Sequence, residues 1–165
     1  MKKFLFLFTI VASMVSCGED IKVNNSAVFQ GDKDNGFWQG GNAKAILEIG
    51  NKLTIQASTL NETVAIKIPA PSTPIDPKNP ATFVTYPLGT SLTRKAIYTL
   101  TDNTNLYTYE TAIGVGDGEV VVSQYNGGTI SGTFRFKAVN TDPESLAQKE
   151  VYFQNGVFYR VPVNP

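Results

Sequence analysis

Histidine is absent from the 165 residues of this chain, and cysteine occurs once. Without histidine there is no Ser-His-Asp or Cys-His nucleophile system, no HExxH zinc motif and no ordinary side chain titrating near neutral pH. A lone cysteine excludes an intrachain disulfide and a Cys-rich zinc site. Charge is scarce and balanced, 14 basic against 14 acidic side chains, so the concentrated basic surface of a nucleic-acid binder is missing. A membrane-spanning helix needs about 20 apolar residues. The stretch from Phe4 to Val15 has only 12.

That stretch follows the positive start Met1-Lys2-Lys3 and precedes Ser16-Cys17-Gly18, the order of a secretory leader. Small Ser16 before the one cysteine resembles the bacterial lipobox, with Met14 where leucine is usual. The resemblance implies cleavage before Cys17, a diacylglyceryl thioether on its sulfur and an acylated new amino terminus, so the expected partner is the outer membrane. The other reading is an ordinary signal peptide with a spare thiol beside the cut, a liability in an oxidising compartment. Two or more acyl chains, at about 0.8 kcal/mol per buried methylene, hold a protein on a membrane for practical purposes permanently. Gly18-Glu19-Asp20 resembles the acidic export signal of some Bacteroidota lipoproteins, which implies the cell surface; the periplasmic face of the outer membrane is the alternative. The expected organisation is a signal peptide over 1–16, a lipidated tether over 17–26 and one domain over 27–165. Cleavage removes Lys2 and Lys3, leaving 12 basic and 14 acidic side chains on 149 residues, a net charge of −2. Roughly 150 residues suffice for one real core.

From Ala27 onward the apolar clusters are short, β-branched or aromatic, and bounded by Gly, Asn, Asp or Pro. Period-2 runs recur: Ala43, Ala45, Leu47, Ile49; Leu53, Ile55, Ala57; Val64, Ile66, Ile68; and Ile130, Gly132, Phe134, Phe136, Ala138. This pattern predicts antiparallel strands with one face buried, in an all-β sandwich or flattened barrel built largely from sequential hairpins. A lipocalin-like closed barrel is the alternative. Asn155-Gly156 reads as a two-residue type I′ loop that places Phe153 opposite Phe158. Around Gly50-Asn51 a two-residue loop contradicts the alternation. Three residues over 50–52 are expected instead, pairing Ile49 with Leu53 and Leu47 with Ile55. Val120-Val121-Val122 fits either register. Pro69 to Pro80 holds five prolines and reads as an extended surface excursion. Asp142-Pro143 reads as the start of one helical turn.

Candidate sites are few. Asp32 and Asp34 in Gly31-Asp32-Lys33-Asp34-Asn35-Gly36 read first as a polar hairpin turn and second as a calcium loop, since calcium wants six to eight oxygen ligands. Gly114-Val115-Gly116-Asp117-Gly118 lacks the helix and Lys-Ser/Thr of a phosphate loop and reads as a turn. Among aromatics, Trp38, Tyr107, Tyr109, Tyr152 and Tyr159 form a candidate binding surface, because flat rings with polar tips stack sugars or grip a protein. Coverage by a second sheet, with bonded hydroxyls, is the competing reading. For catalysis only carboxylates, Lys, Ser/Thr and Tyr remain. Nothing in the order Asp32, Asp34, Asp117, Glu119, Glu150 favours a glycosidase pair. No cofactor and no catalytic residue is expected.

The order of Gly118-Glu119-Val120-Val121-Val122, Ile130-Ser131-Gly132-Thr133-Phe134-Arg135-Phe136 and Val151 to Phe158 resembles a domain-of-unknown-function family of small Bacteroidota (flavobacterial-type) lipoproteins. The resemblance implies an envelope location and a β fold, and brings no activity or ligand. The Pro69–Pro80 stretch departs from it. Gly132 within its strand marks a bulge or a place where a neighbouring ring packs close. The expected function is a non-catalytic, lipid-anchored cell-envelope protein of unknown specific role, a binding or structural-interaction module with a glycan or an envelope protein as candidate partner. A small-ligand-holding barrel and a hydrolase of envelope or extracellular polymers are the alternatives.

Overall fold

Ten strands form between the glycine, asparagine and proline breaks in a computed structural model that describes residues 27–165. The leader, Cys17 and the tether lie outside the described residues. The strands are β1 (Val28–Lys33), β2 (Gly36–Glu48), β3 (Lys52–Ser58), β4 (Glu62–Pro69), β5 (Val84–Leu88), β6 (Lys95–Asp102), β7 (Asn105–Glu110), β8 (Asp117–Tyr125), β9 (Thr129–Asn140) and β10 (Glu150–Asn164). No helix among the described residues is long and apolar enough to cross a membrane.

All ten strands share one sheet, in the order β1-β10-β2-β3-β4-β6-β7-β9-β8-β5. The added pairings β1–β2 and β9–β10 close it into a ring, giving the flattened barrel that the alternation predicts. Strand β9 shares one edge between two neighbours: Val139 and Asn140 meet β7, and residues 130–137 meet β8. Strands β8 and β5 therefore extend the sheet beyond the ring. One pairing is parallel, Val163 with Ala45 and Asn164 with Ile46. It arises because β2 and β10 both run antiparallel to the six-residue β1 and meet each other where β1 begins.

The barrel has two distinct rims. The upper rim carries the turns at 34–35, 59–61 and 103–104 and the connection 141–149; the lower rim carries the chain entry at Ala27, the connections 49–51, 70–83 and 126–128, and the end of β10.

Inside, Phe29, Phe134, Phe136, Phe153 and Phe158 pack ring on ring. The Phe29–Phe134 centroids lie 4.9 Å apart and those of Phe136–Phe153 4.8 Å apart. Val120 and Val122 face inward beside them, which settles the register of β8. Gly132 is needed where it stands: a Cβ there would meet the Val121 carbonyl oxygen at 2.1 Å and Phe158 Cζ at 2.5 Å. The close ring expected at this position is thus Phe158.

Three local expectations are corrected. Asn155-Gly156 is no hairpin turn but a bulge inside the 15-residue β10. Phe153 pairs with Phe136 and Phe158 with Gly132, so these phenylalanines face β9 rather than each other. Positive φ at Asn155 (50°) serves a bulge as well as a turn, and β1 and β9 on either side supply the hydrogen bonds that a hairpin would have used. The loop between β2 and β3 does have three residues, but they are 49–51; Leu47 pairs with Leu53 and Ala45 with Ile55. Ile49, expected inside, is 99% exposed on that turn. Residues 141–147 form turns, with Asp142 accepting the Glu144 N–H, rather than a helical turn.

The proline stretch is an irregular connection, as expected, yet it is pinned. Ile75 and Tyr125 exchange both backbone hydrogen bonds, and Ala70 and Ile75 are buried. Of the Gly114 to Gly118 stretch, residues 114–116 belong to the turn between β7 and β8, and Asp117 and Gly118 are already paired in β8.

Candidate functional site

Glu62 is the first residue of β4, and the preceding turn fixes it. Its N–H donates to Thr59 Oγ1 (3.0 Å), and its carbonyl accepts from the Thr59 N–H (2.8 Å). Three side chains from three other strands converge on its carboxylate. Trp38 Nε1 donates to Oε2 (2.7 Å), the Tyr98 hydroxyl donates to Oε1 (2.5 Å), and Lys33 Nζ forms an ion pair with Oε1. Lys33 also donates to the Tyr98 oxygen (3.1 Å) and lies 5.2 Å from the centre of its ring. Lys33 is aimed here by the tight turn after β1, where Asp34 and Asn35 both take positive φ (48° and 68°), the requirement of a type I′ turn.

Burial opposes ionisation of Glu62, but the bonds from Lys33 and Tyr98, the Lys33 charge and the Trp38 N–H outweigh it and hold the carboxyl below its ordinary range. Tyr98 is pushed far up by burial and by Glu62, so its hydroxyl stays a donor. The cluster is a charge-assisted network that ties β1, β2, β4 and β6 together at the upper rim.

Beside it opens a groove of about 330 Å³. Tyr98, Tyr107 and Tyr109 line one side. Lys33 and Asp34 line a second, and Leu146 to Gln148 close the third. Tyr109 is 3% exposed, yet its hydroxyl makes no hydrogen bond to a described residue and is not sealed from solvent. Burial, together with Tyr107 and Asp34, raises its pKa, so it presents an intact O–H to the groove at neutral pH. Tyr107 is half-buried and offers a ring face; Asp102 adds a carboxylate.

The five aromatics expected on one surface separate. Trp38 is 4% exposed, packed edge-on against Phe153 (5.6 Å) and Phe29 (6.0 Å). It sits inside because Phe37 and Trp38 are adjacent on a strand, so one must face out, and Phe37 does. Tyr107 and Tyr109 share the groove. Tyr152 (42% exposed) and Tyr159 (48%) lie on the outer face of β10. There Tyr152 borders a shallower opening of about 260 Å³ with Arg135 and Lys137.

Asp32 and Asp34 do not converge on a shared point. Asp32 accepts from Asn155 Nδ2 (2.8 Å), while Asp34 accepts the Tyr152 N–H (2.9 Å), and each clamps the turn to β10. Among the described residues no three acidic or cysteine side chains cluster as metal ligands. Glu119 pairs with Arg135 (3.0 Å), and Glu150 accepts the Tyr152 hydroxyl (2.5 Å) near Lys137, which places these carboxylates in separate outer-face pairs. Sequence reasoning missed Glu62, Lys33 and Tyr98, which are 29 to 65 positions apart and meet only when the ring closes.

No curated protein and no solved structure matches the chain. A family model does, over residues 25–162, a span that contains nearly all of the ten strands and every residue of the groove. The chain belongs to the DUF6252 family, a domain of unknown function.

Proposed function

We propose that this protein is a non-catalytic lipoprotein of a Bacteroidota cell envelope, held on the outer membrane through Cys17, and that its β domain binds a sugar-like ligand in the upper-rim groove. The observation that carries the binding reading is the Tyr109 hydroxyl. Its ring is buried while its oxygen reaches the groove, where no described residue bonds to it, so the hydroxyl is free to donate to and accept from a ligand hydroxyl in exchange for water. The half-buried Tyr107 ring supplies a stacking face next to it, and Asp102 and Gln148 supply acceptors and donors for hydroxyl groups. The interior is filled by phenylalanine rings, which favours a rim site over a ligand held in the lumen.

Tyr107→Ala is the test of the groove. Loss of one stacking ring is expected to weaken retention on a glycan array roughly tenfold, with the melting temperature little changed. Trp38→Ala is unsuitable, since it opens the core. A wild-type chain that no glycan retains, or a variant retained equally, defeats the sugar reading.

The anchor rests on the leader order and on Cys17. Cys17→Ser is expected to abolish metabolic labelling with an acyl precursor and to move the protein into the soluble fraction. Labelling that persists refutes the anchor while leaving the groove untouched. Protease accessibility on intact cells separates the cell surface from the periplasmic face.

A further inference from the structure

On the outside of the barrel, Lys67 of β4 stands directly opposite Lys95 of β6. Like charges directly opposite each other on two strands destabilise a sheet. Leu92 and Thr93 border the pair, and together with Lys52, Thr54, Glu48 and Ile68 they line a cleft of about 180 Å³. Lys67 is half-buried there.

The carboxylates nearby, Glu110 and the Glu48 that stands opposite Lys52, offset part of this charge but not all of it. Lys95 is paired with Glu110 (2.7 Å). Glu48 accepts the Thr54 hydroxyl (2.7 Å), and among the described residues neither Lys52 nor Lys67 has a carboxylate within ion-pairing distance. Three lysines thus line one small cleft, two of them without an ion pair among the described residues.

We propose that this cleft is a binding site for a phosphate group, with the Lys67 and Lys52 ammonium groups as its ligands and Thr93 at its lip. The cleft of about 180 Å³ has room for a phosphate together with part of the molecule that carries it, so the group is the end of a small molecule or the headgroup of a lipid. Lys52 and Lys95 are the first residues of their strands, which places the cleft toward the lower rim, where the described chain enters at Ala27. An anion there relieves the Lys67–Lys95 repulsion and replaces water in a partly covered site. The site is separate from the upper-rim groove and does not depend on its ligand.

The test uses the secreted chain carrying Cys17→Ser throughout, so that no acyl group holds it to vesicles, in three forms: otherwise unchanged, Lys67→Gln, and Lys78→Gln as a control. Lys78 is exposed in the 70–83 connection, also near the lower rim but outside the cleft, so the control makes the same change in net charge. In one arm inorganic phosphate is titrated while lysine and backbone NMR resonances are followed. Saturable shifts around Lys67 and Lys95 are expected, weakened about tenfold or more by Lys67→Gln and unaffected by Lys78→Gln. In the other arm the proteins are sedimented with vesicles of phosphatidylcholine alone or mixed with phosphatidylglycerol. Extra retention on the anionic vesicles that Lys67→Gln removes and Lys78→Gln leaves assigns the phosphate to a lipid. A response confined to the first arm assigns it to a soluble molecule. If neither arm distinguishes Lys67→Gln from Lys78→Gln, the cleft is a solvated surface and the proposal fails. Equal melting temperatures of the two variants show that folding is not the cause.

Discussion

Phe153→Ala is expected to lose about 4 kcal/mol of stability, a fall in melting temperature of roughly 12–16 °C. Phe153 is 1% exposed and touches four aromatic neighbours: Phe136 (4.8 Å), Trp38 (5.6 Å), Tyr98 (5.6 Å) and Phe134 (6.4 Å). Removing its ring deletes buried apolar area and leaves a hole that flat, mutually braced rings fill poorly. Trp38 is the only tryptophan and lies against the hole, so its fluorescence in a urea titration reads the loss directly. Phe37→Ala, on the residue next to Trp38 but 71% exposed, is the comparison and is expected to cost at most about 0.5 kcal/mol. Similar costs at the two positions would mean that β2 does not face as described.

Glu62→Gln is expected to cost about 2–3 kcal/mol at neutral pH. The amide keeps the shape but not the charge, and it leaves the Lys33 ammonium without its partner and one of the Trp38 and Tyr98 donors poorly matched. The direction with pH follows from the lowered pKa of Glu62. A carboxyl held in the folded protein below its unfolded value of about 4.5 contributes fully above that value and loses its contribution as pH falls through the folded one. Wild type and Glu62→Gln should therefore differ most at pH 6–7 and converge on acidification below about pH 4. Chemical denaturation at several pH values checks this, and a gap that stays constant down to pH 3 contradicts it. Because Trp38 and Tyr98 touch both Phe153 and Glu62, the two substitutions are expected to be non-additive in a double-mutant cycle.

The inward faces of β3, β4 and β9 were legible residue by residue, since simple alternation marks Leu53, Ile55, Ala57, Val64, Ile66, Ile68 and Phe134, Phe136, Ala138 as core. Strand β10 was not, although its sequence holds the clue. Its buried residues are Val151, Phe153, Gly156, Phe158 and Val161, spaced 2, 3, 2 and 3. Each extra step is a bulge that restores the inward face, and a break in parity can equally be read as a turn unless the flanking strands are known. The groove was half legible. Tyr107 and Tyr109 carried a signal by their spacing, but Trp38 was misread because its neighbour Phe37 is equally apolar. The Glu62 cluster was hidden: a glutamate after Leu60-Asn61 looks like a loop acid until ring closure brings Lys33 and Tyr98 beside it.

Both Ala27 and the tail of β10 sit at the rim opposite the three tyrosines. The molecule is thus built like a cup whose handle and base are on one side and whose opening is on the other. Any support gripping the chain ahead of Ala27, or a fusion appended after Pro165, leaves the opening pointing into free solution. Under the proposed anchor, a ligand of the groove would arrive without passing the supporting membrane.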